Sequence, residues 1–446
     1  MPEPESPPPR SSLLATLFRP FARVEPDEVL GVTVLTLTVF LLLTAYYLLK
    51  TAREPLILLQ GGAKWKSFAA AFQSGVLLLT TYVYGEVAKR VGRMKLLASV
   101  YLFFVATFAG FAALALIKAP IGIVFFIWVG VFNVTAIAQF WSFAADVYTP
   151  EQGKRLFAVV GIGSSVGAVV GSQIAKLLVP LGPAFLMGGA AAVLVVCVFL
   201  FAFMNARFEA KGPSKAAKDA EKPLADERAI HLLFRDRYLL LIAASLLLLN
   251  WVNSNGEYVL DKTILAAVEH LGHDEQEKFI GAFKADYFSY TNALGVTLQL
   301  FAVSRILRVF GVRRALLLLP AASAVAYSIL LFRPALEIVR VAKVIENGID
   351  YSVQSTTQQT LYLVTSRVEK YVGKSLVDTL FVRLGDVFSF LTVLGGEALA
   401  FSTHAFAVTN LVLIGIWVVV LLAIGRENTR RADEEPELLA QEPVRA

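Results

Sequence analysis

The chain has 446 residues, of which 57% are apolar and 17% charged, with a formal net charge of +6 and a mean hydropathy of +0.64. Soluble domains carry about 25% charged residues, so a soluble enzyme and a disordered chain are both excluded. Apolar runs near 20 residues without alternation, as at 29–49 and 405–424, exclude a porin-type barrel and leave an all-α integral membrane protein.

In chain order, residues 1–27 are rich in Pro, Glu and Arg, read as a cytoplasmic N-terminal tail, and carry no evident cleavable signal. Long apolar runs between charged punctuation then predict twelve spans. They lie near 29–50, 67–88, 96–117, 120–145, 156–179, 183–204, 238–260, 286–304, 314–332, 336–364, 375–400 and 404–425. Basic residues gather in alternate connections, with Lys89, Arg90, Arg93 and Lys95 after span two, Lys154 and Arg155 after span four, and Arg305, Arg308, Arg313 and Arg314 after span eight. By the positive-inside rule these connections and both termini face the cytoplasm. Residues 207–236, Pro-containing and rich in Lys, Asp and Glu, read as a cytoplasmic linker between a six-span half at 28–206 and a second at 237–425, followed by a cytoplasmic tail at 426–446.

An internal repeat supports two pseudo-equivalent halves. Val87-Ala-Lys-Arg-Val-Gly92 recurs as Ile306-Leu-Arg-Val-Phe-Gly311 at an offset of 219 residues, and Gly153-Lys154 recurs as Gly373-Lys374 at an offset of 220. Such an architecture places a binding site near the midplane, opened to each side in turn as the halves rock.

A charged side chain at the bilayer centre costs about 3 kcal/mol on insertion scales, so faces that carry several charges locate an internal cavity. In span ten, Arg340, Lys343, Asn347, Asp350, Tyr351, Gln354 and Gln358 share an arc of about 100°. In span seven, Asn250, Asn253, Ser254, Glu257 and Asp261 form a similar stripe, and Asn255-Gly256 is read as an interruption of the helix. Span one ends in Lys50-Thr-Ala-Arg-Glu-Pro55, where Pro55 suits the first turn of a new half-helix and the charges either meet an anionic ligand or snorkel to the interface. Lys64 and Lys66 follow Gly61-Gly62 with a more ambiguous role. Span eleven holds Asp378, Arg383, Asp386 and Glu397, with Arg383 and Asp386 one turn apart as an internal pair.

Three further features carry packing or nothing. Gly163, Gly167 and Gly171, spaced by four, admit a close helix neighbour. Cys197 lies in an apolar run and serves as core. His270 and His273, in an acidic stretch read as an outer loop, lack the further ligands that a metal site needs. Neither a cofactor nor nucleic-acid binding nor enzymatic activity is expected.

The segment Gly85-Glu-Val-Ala-Lys-Arg-Val-Gly-Arg-Met-Lys resembles the pattern that follows the second helix of major facilitators, with Lys89 in the usual Asp slot and the acid at Glu86. In that reading Glu86, Arg90, Arg93 and Asp146 form an inner-gate latch; the alternative is a plain positive-inside anchor. The chain also resembles the ATP/ADP antiporters of plastids and intracellular bacteria and their major facilitator-like relatives. The likeness runs from about Thr44 to Gly396 and is clearest at Phe140-Trp-Ser-Phe-Ala-Ala-Asp-Val-Tyr-Thr-Pro-Glu-Gln-Gly-Lys-Arg-Leu-Phe, at Gly161-Ile-Gly, at Asp350-Tyr-Ser and at Gly373-Lys374.

This resemblance implies four functional positions. A Lys-Asp pair after the first helix corresponds to Arg53-Glu54, an acid in the seventh helix to Glu257, and a Lys in the tenth to Gln358. An acid in the fourth helix has no counterpart, since Val129 stands there with the neutral Asn133 nearby. The resulting expectation is a monomeric secondary transporter in a bacterial inner membrane, moving an ATP/ADP-type or related phosphorylated anion by alternating access. Arg53, Glu54, Glu257, Arg340, Lys343, Asn347, Asp350, Gln354, Gln358 and Arg383 would contact substrate, and Glu257, Asp350 and Asp378 would reset the cavity. The alternative is a proton-coupled carrier of another small solute, using Glu257, Asp350 or Asp378 as the proton site.

Overall fold

A computed structural model describes residues 24–26, 28–88, 90–208, 236–365, 374 and 377–441. Among them every regular element is helical. The first helix, α1 (Val29–Ala88), breaks at Gly62, whose φ of +72° only a glycine adopts without strain. Lys66 lies 2.6 Å from Glu54 although twelve residues separate them, a distance that a straight helix would stretch to about 18 Å. The chain therefore folds back at Gly62, and each arm of α1 exceeds the hydrocarbon thickness of a bilayer.

The helices α2 (Arg93–Leu116), α3 (Gly122–Val147), α4 (Pro150–Leu178) and α5 (Pro183–Phe208) complete a first lobe around α1. Thr149 caps α4 through a reciprocal bond with Gln152, and Pro150 occupies the first helical position, where its missing amide hydrogen is no loss. Gly163, Gly167 and Gly171 of α4 lie against the backbone of Thr36, Phe40 and Thr44 in α1, where a methyl group would collide with main-chain atoms.

The second lobe comprises α6 (Arg237–Val268), α7 (His273–Phe301), α8 (Val303–Ala315), α9 (Leu318–Phe332) and α10 (Leu336–Ile349). A π-helical turn (Asp350–Gln354) leads from α10 into α11 (Ser355–Leu361), a second (Val377–Phe381) leads into α12 (Val382–Ala398), and α13 (Thr403–Gln441) closes the order. Here α12 packs on α6 through Gly385, where a methyl group would meet the Leu247 carbonyl at 2.8 Å. The lobes meet where α1 faces α6, α7 and α12, and where α4 runs beside α7.

Outward faces of the bundle are apolar: Phe199, Val419 and Phe332 are exposed, and in the most hydrophobic stretch of α5 only 39% of residues are buried. Lipid is the one solvent in which such surface is stable, so this is a multi-pass membrane protein. Among the described residues, seven helices, or eight if the bent pair α7–α8 counts as one span, are long and apolar enough to cross a membrane.

Two expectations about helix breaks are corrected. Pro55 opens no half-helix, since α1 continues to the Gly62 break and simply omits one backbone hydrogen bond. Asn255-Gly256 does not interrupt α6; the absent side chain makes room for Tyr327 Oη and for Lys343 Nζ, which would lie 2.9 Å from a methyl group there. The stretch read as an acidic outer loop is the start of α7, with Asp274 and Glu275 in its first turn complementing the helix dipole. Residues 209–235, most of the predicted linker, lie outside the described residues, as do Lys89, Gly373 and the side chain of Arg93.

Candidate functional site

A cavity of about 210 Å³ lies where the lobes meet. The first lobe lines it with Tyr47, Lys50, Arg53, Glu54, Lys66 and Ser67 of α1 and Phe126 of α3. The second lobe contributes Asn253, Ser254, Glu257 and Asp261 of α6, Tyr287, Phe288, Thr291 and Asn292 of α7, Asn347 of α10, and Asp386 and Ser389 of α12, with Tyr351 from the π turn.

One wall is a network of charges that ties the lobes together. Lys284 of α7, fully buried, places Nζ 2.6 Å from Asp261 Oδ1, 3.6 Å from Glu257 Oε2 and 3.7 Å from Glu54 Oε2. Lys66 bridges from the other side, 2.6 Å from Glu54 Oε2 and 2.7 Å from Asp261 Oδ2. Arg53 Nε lies 3.1 Å from Glu54 Oε1, while its guanidinium sits 4.3 Å over the Phe126 ring. Arg53, Lys66 and Lys284 thus balance Glu54, Glu257 and Asp261, and the pairing makes such deep burial affordable. Tyr287 donates to Glu257, and Asn347 Nδ2 reaches Glu257 Oε1 at 3.3 Å.

Lys50 differs from its neighbours. Its Nζ lies 4.2 Å from the Phe288 ring centroid and 5.2 Å from that of Tyr47, and no carboxylate approaches within ion-pair distance among the described residues. An ammonium so placed gains from the ring faces and is left without a direct ion-pair partner in the cavity wall. Tyr47 in turn donates across the lobe boundary to Asn292 Oδ1 at 3.0 Å.

The structure brings only part of the predicted set together. Arg53, Glu54, Glu257, Asn347 and Tyr351 line the cavity. Arg340 does not: it pairs with Glu337 on its own helix and covers Phe283 at the α7 face. Lys343 is buried beside the cavity, donating to Asn253 Oδ1 at 2.7 Å and pairing with Glu346 Oε2 at 3.0 Å. Asp350 lines a separate small chamber with Glu346. Gln354 is fully buried, and among the described residues neither its amide atoms nor Gln358 Nε2 find a hydrogen-bond partner. Arg383 pairs with Asp386 at 3.5 Å, and it is Asp386, held also by Asn250 and Ser254, that reaches the cavity. Asp378 lies on the π turn before α12, away from the cavity wall, and Glu86, Arg90 and Asp146 sit at the opposite end of the bundle from Gly62. The common arc predicted for span ten therefore divides: Asn347 and Tyr351, four residues apart, line the cavity, while Glu346 and Asp350, each one position earlier, line the chamber beside it.

Lys284, Lys66, Tyr287, Asn292 and Glu346 are the site residues that sequence reasoning passed over as such. Lys284, Tyr287, Thr291 and Asn292 recur at helical spacing and would form a visible polar stripe once α7 is begun at His273. Lys66 offers no such signal, since only the reversal at Gly62 carries it back to Glu54.

A sequence model of the Major Facilitator Superfamily matches residues 35–345. The chain belongs to the Major Facilitator Superfamily. Its relatives include ADP,ATP carrier protein 1 of Chlamydia muridarum, 23% identical over 286 residues, which are 55% of this chain and 53% of that protein. The protein of that name in Chlamydia trachomatis is 22% identical over the same shares. This facilitator thus spans about half the length of the curated relatives it matches. Among solved structures, the nucleoside transporter NupG superposes with a TM-score of 0.61 at 13% identity, over 88% of this chain and 98% of that one, which shows a shared fold. The superfamily is one of membrane transporters and not of enzymes, which makes the inter-lobe cavity the candidate substrate site.

Proposed function

We propose that this facilitator is a secondary transporter of a nucleotide, exchanged in ATP/ADP fashion, or of a related phosphorylated anion, carried by alternating access. The observation that carries the reading is the cavity shared by both lobes, lined by Arg53 and by Lys50, an amine with no carboxylate within ion-pair distance among the described residues. Arg53 adds a guanidinium suited to the forked recognition of phosphate oxygens. The amides of Asn253, Asn292 and Asn347 supply orienting groups, and Glu257 returns the cavity to its paired state once the anion leaves.

In this reading the chain forms twelve spans in two six-helix repeats, divided near residues 207–236, and acts as a monomer in a bacterial inner membrane with both termini cytoplasmic. The equivalent close packing of α4 on α1 and of α12 on α6 supports the repeat. The cavity is smaller than the roughly 300–1,000 Å³ of pockets that enclose drug-sized ligands, so loading requires the lobes to part. Exchange of ATP for ADP would move one net charge per cycle, coupling transport to about 2.3 kcal/mol per 100 mV.

Proteoliposomes loaded with ADP are expected to take up labelled ATP, and Lys50→Ala is expected to reduce uptake at least about tenfold, the loss of one charge-assisted contact. Absence of uptake for every nucleotide by folded protein overturns the substrate assignment. A proton-coupled carrier is the second reading, favoured by the surplus of carboxylates around α10; it predicts uptake driven by a pH gradient without counter-substrate.

A further inference from the structure

The second reading gains a definite site from the small chamber beside the cavity. Leu249, Leu319 and Trp417 of α6, α9 and α13, with the neutral polar groups of Asn253, Ser323 and Asn347, line a chamber that holds two carboxylates, Glu346 of α10 and Asp350 of the π turn that follows. These are four residues apart and so on one face of the helix. Glu346 is 4% exposed, and beyond its ion pair with Lys343 no hydrogen-bond donor among the described residues reaches either of its carboxylate oxygens.

Lys343 and Glu346 are the charged groups within electrostatic reach of Asp350 among the described residues. From the elements around, Tyr287 of α7 and Tyr327 of α9 lie within electrostatic reach of Glu346 and bring no positive charge, while Glu257 of α6 draws on the same Lys343. Lys50 lies among aromatic rings on the far wall of the cavity. The chamber therefore sets two carboxylates against one ammonium, itself shared, whereas the network across the lobes is balanced. An ionised carboxylate left unpaired in such surroundings costs several kcal/mol, and taking up a proton removes that cost. The π turn beginning at Asp350 is of the kind that recurs at functional sites.

We infer that Glu346 and Asp350 hold one exchangeable proton between them, so that this chamber is a proton-binding site distinct from the substrate cavity and linked to it through Lys343. An anion that draws Lys343 toward the cavity leaves the chamber more acidic groups than cations and so favours proton uptake with substrate. The inference rests on the transporter reading for its use but not for its detection.

Infrared difference spectroscopy of the full chain in liposomes, at neutral pH, reads the protonated carboxyl directly and needs no substrate. Wild type is expected to carry a carboxylic-acid band that is lost in Glu346→Gln and equally in Asp350→Asn, because either substitution leaves a single carboxylate paired with Lys343. Lys343→Gln is expected to double the band, since both acids then protonate. A band unchanged in the two carboxylate variants, or no band in wild type, overturns the site. Should one carboxylate variant fail to fold, the other reads the same proton. Absence of nucleotide exchange in proteoliposomes leaves this measurement untouched, so the two readings fail separately.

Discussion

Two side chains show how charge is made tolerable at opposite depths of the bundle. Glu28, just before α1, lies 2.7 Å from Arg155 and accepts from Gln152 at 3.0 Å and from the Glu25 amide at 3.0 Å. Burial works against its charge, but these partners outweigh it and hold its carboxyl below the usual range. A carboxyl so depressed stabilises the fold above its ordinary pKa and loses that contribution as pH falls through its lowered value. Glu28→Gln is therefore expected to cost about 2 kcal/mol at neutral pH and to flatten the acid side of a stability profile measured by thermal unfolding. Deeper in, the fully buried Lys284 meets three carboxylates. Lys284→Met should destabilise by about 3–5 kcal/mol, and Lys284→Arg should recover part of that, since the cost arises from stranded charge and not from lost packing. Equal losses in the two variants would contradict this.

Helix contacts depend on where backbone must touch backbone. At Gly163 and Gly171 a methyl group would come within 2.5 Å of the Thr36 carbonyl and 2.7 Å of Thr44 Cα, and main chain cannot step aside as a side chain can. Gly163→Ala and Gly171→Ala are expected to cost about 1–3 kcal/mol each. Gly188 in α5 has open space around it, so Gly188→Ala should be neutral or stabilise by up to about 1 kcal/mol through helix propensity. Melting temperatures of the three variants in one detergent test the distinction. The spacing of Gly163, Gly167 and Gly171 was legible as a close-approach face, but its partner, α1, was not.

Across the whole molecule, side-chain links between the lobes run from mid-bundle to the end that carries Gly62. They include Tyr47 with Asn292, Lys66 with Asp261, Lys176 with Asp286 at 2.8 Å, and Lys118 with Asp274 at 3.6 Å. If the lobes rock during transport, these links must part in each cycle. Cysteines replacing Lys176 and Asp286, in a chain where Cys197 is changed to Ala, should cross-link under oxidation and stop exchange, with recovery on reduction. Uninterrupted exchange by the fully cross-linked protein would show that the α4–α7 seam stays shut throughout.

Much of this architecture followed from the chain alone. Hydrophobic length marked the membrane helices because lipid leaves backbone polar groups only intrahelical partners; the polar stripes within those runs pointed to Glu257 and Asn347, and the family resemblance to Arg53 and Glu54, all of which line the cavity. Which charges meet was decided by tertiary structure. Lys66 joins Glu54 through a turn at one glycine, Lys284 enters the site because α7 starts a dozen residues earlier than its apolar run, and Asp350 leaves it because it stands with Glu346 on the neighbouring face of the helix. Periodicity fixes direction around one helix axis; the distance between charges on different helices depends on bends and starting points that a hydropathy pattern does not contain.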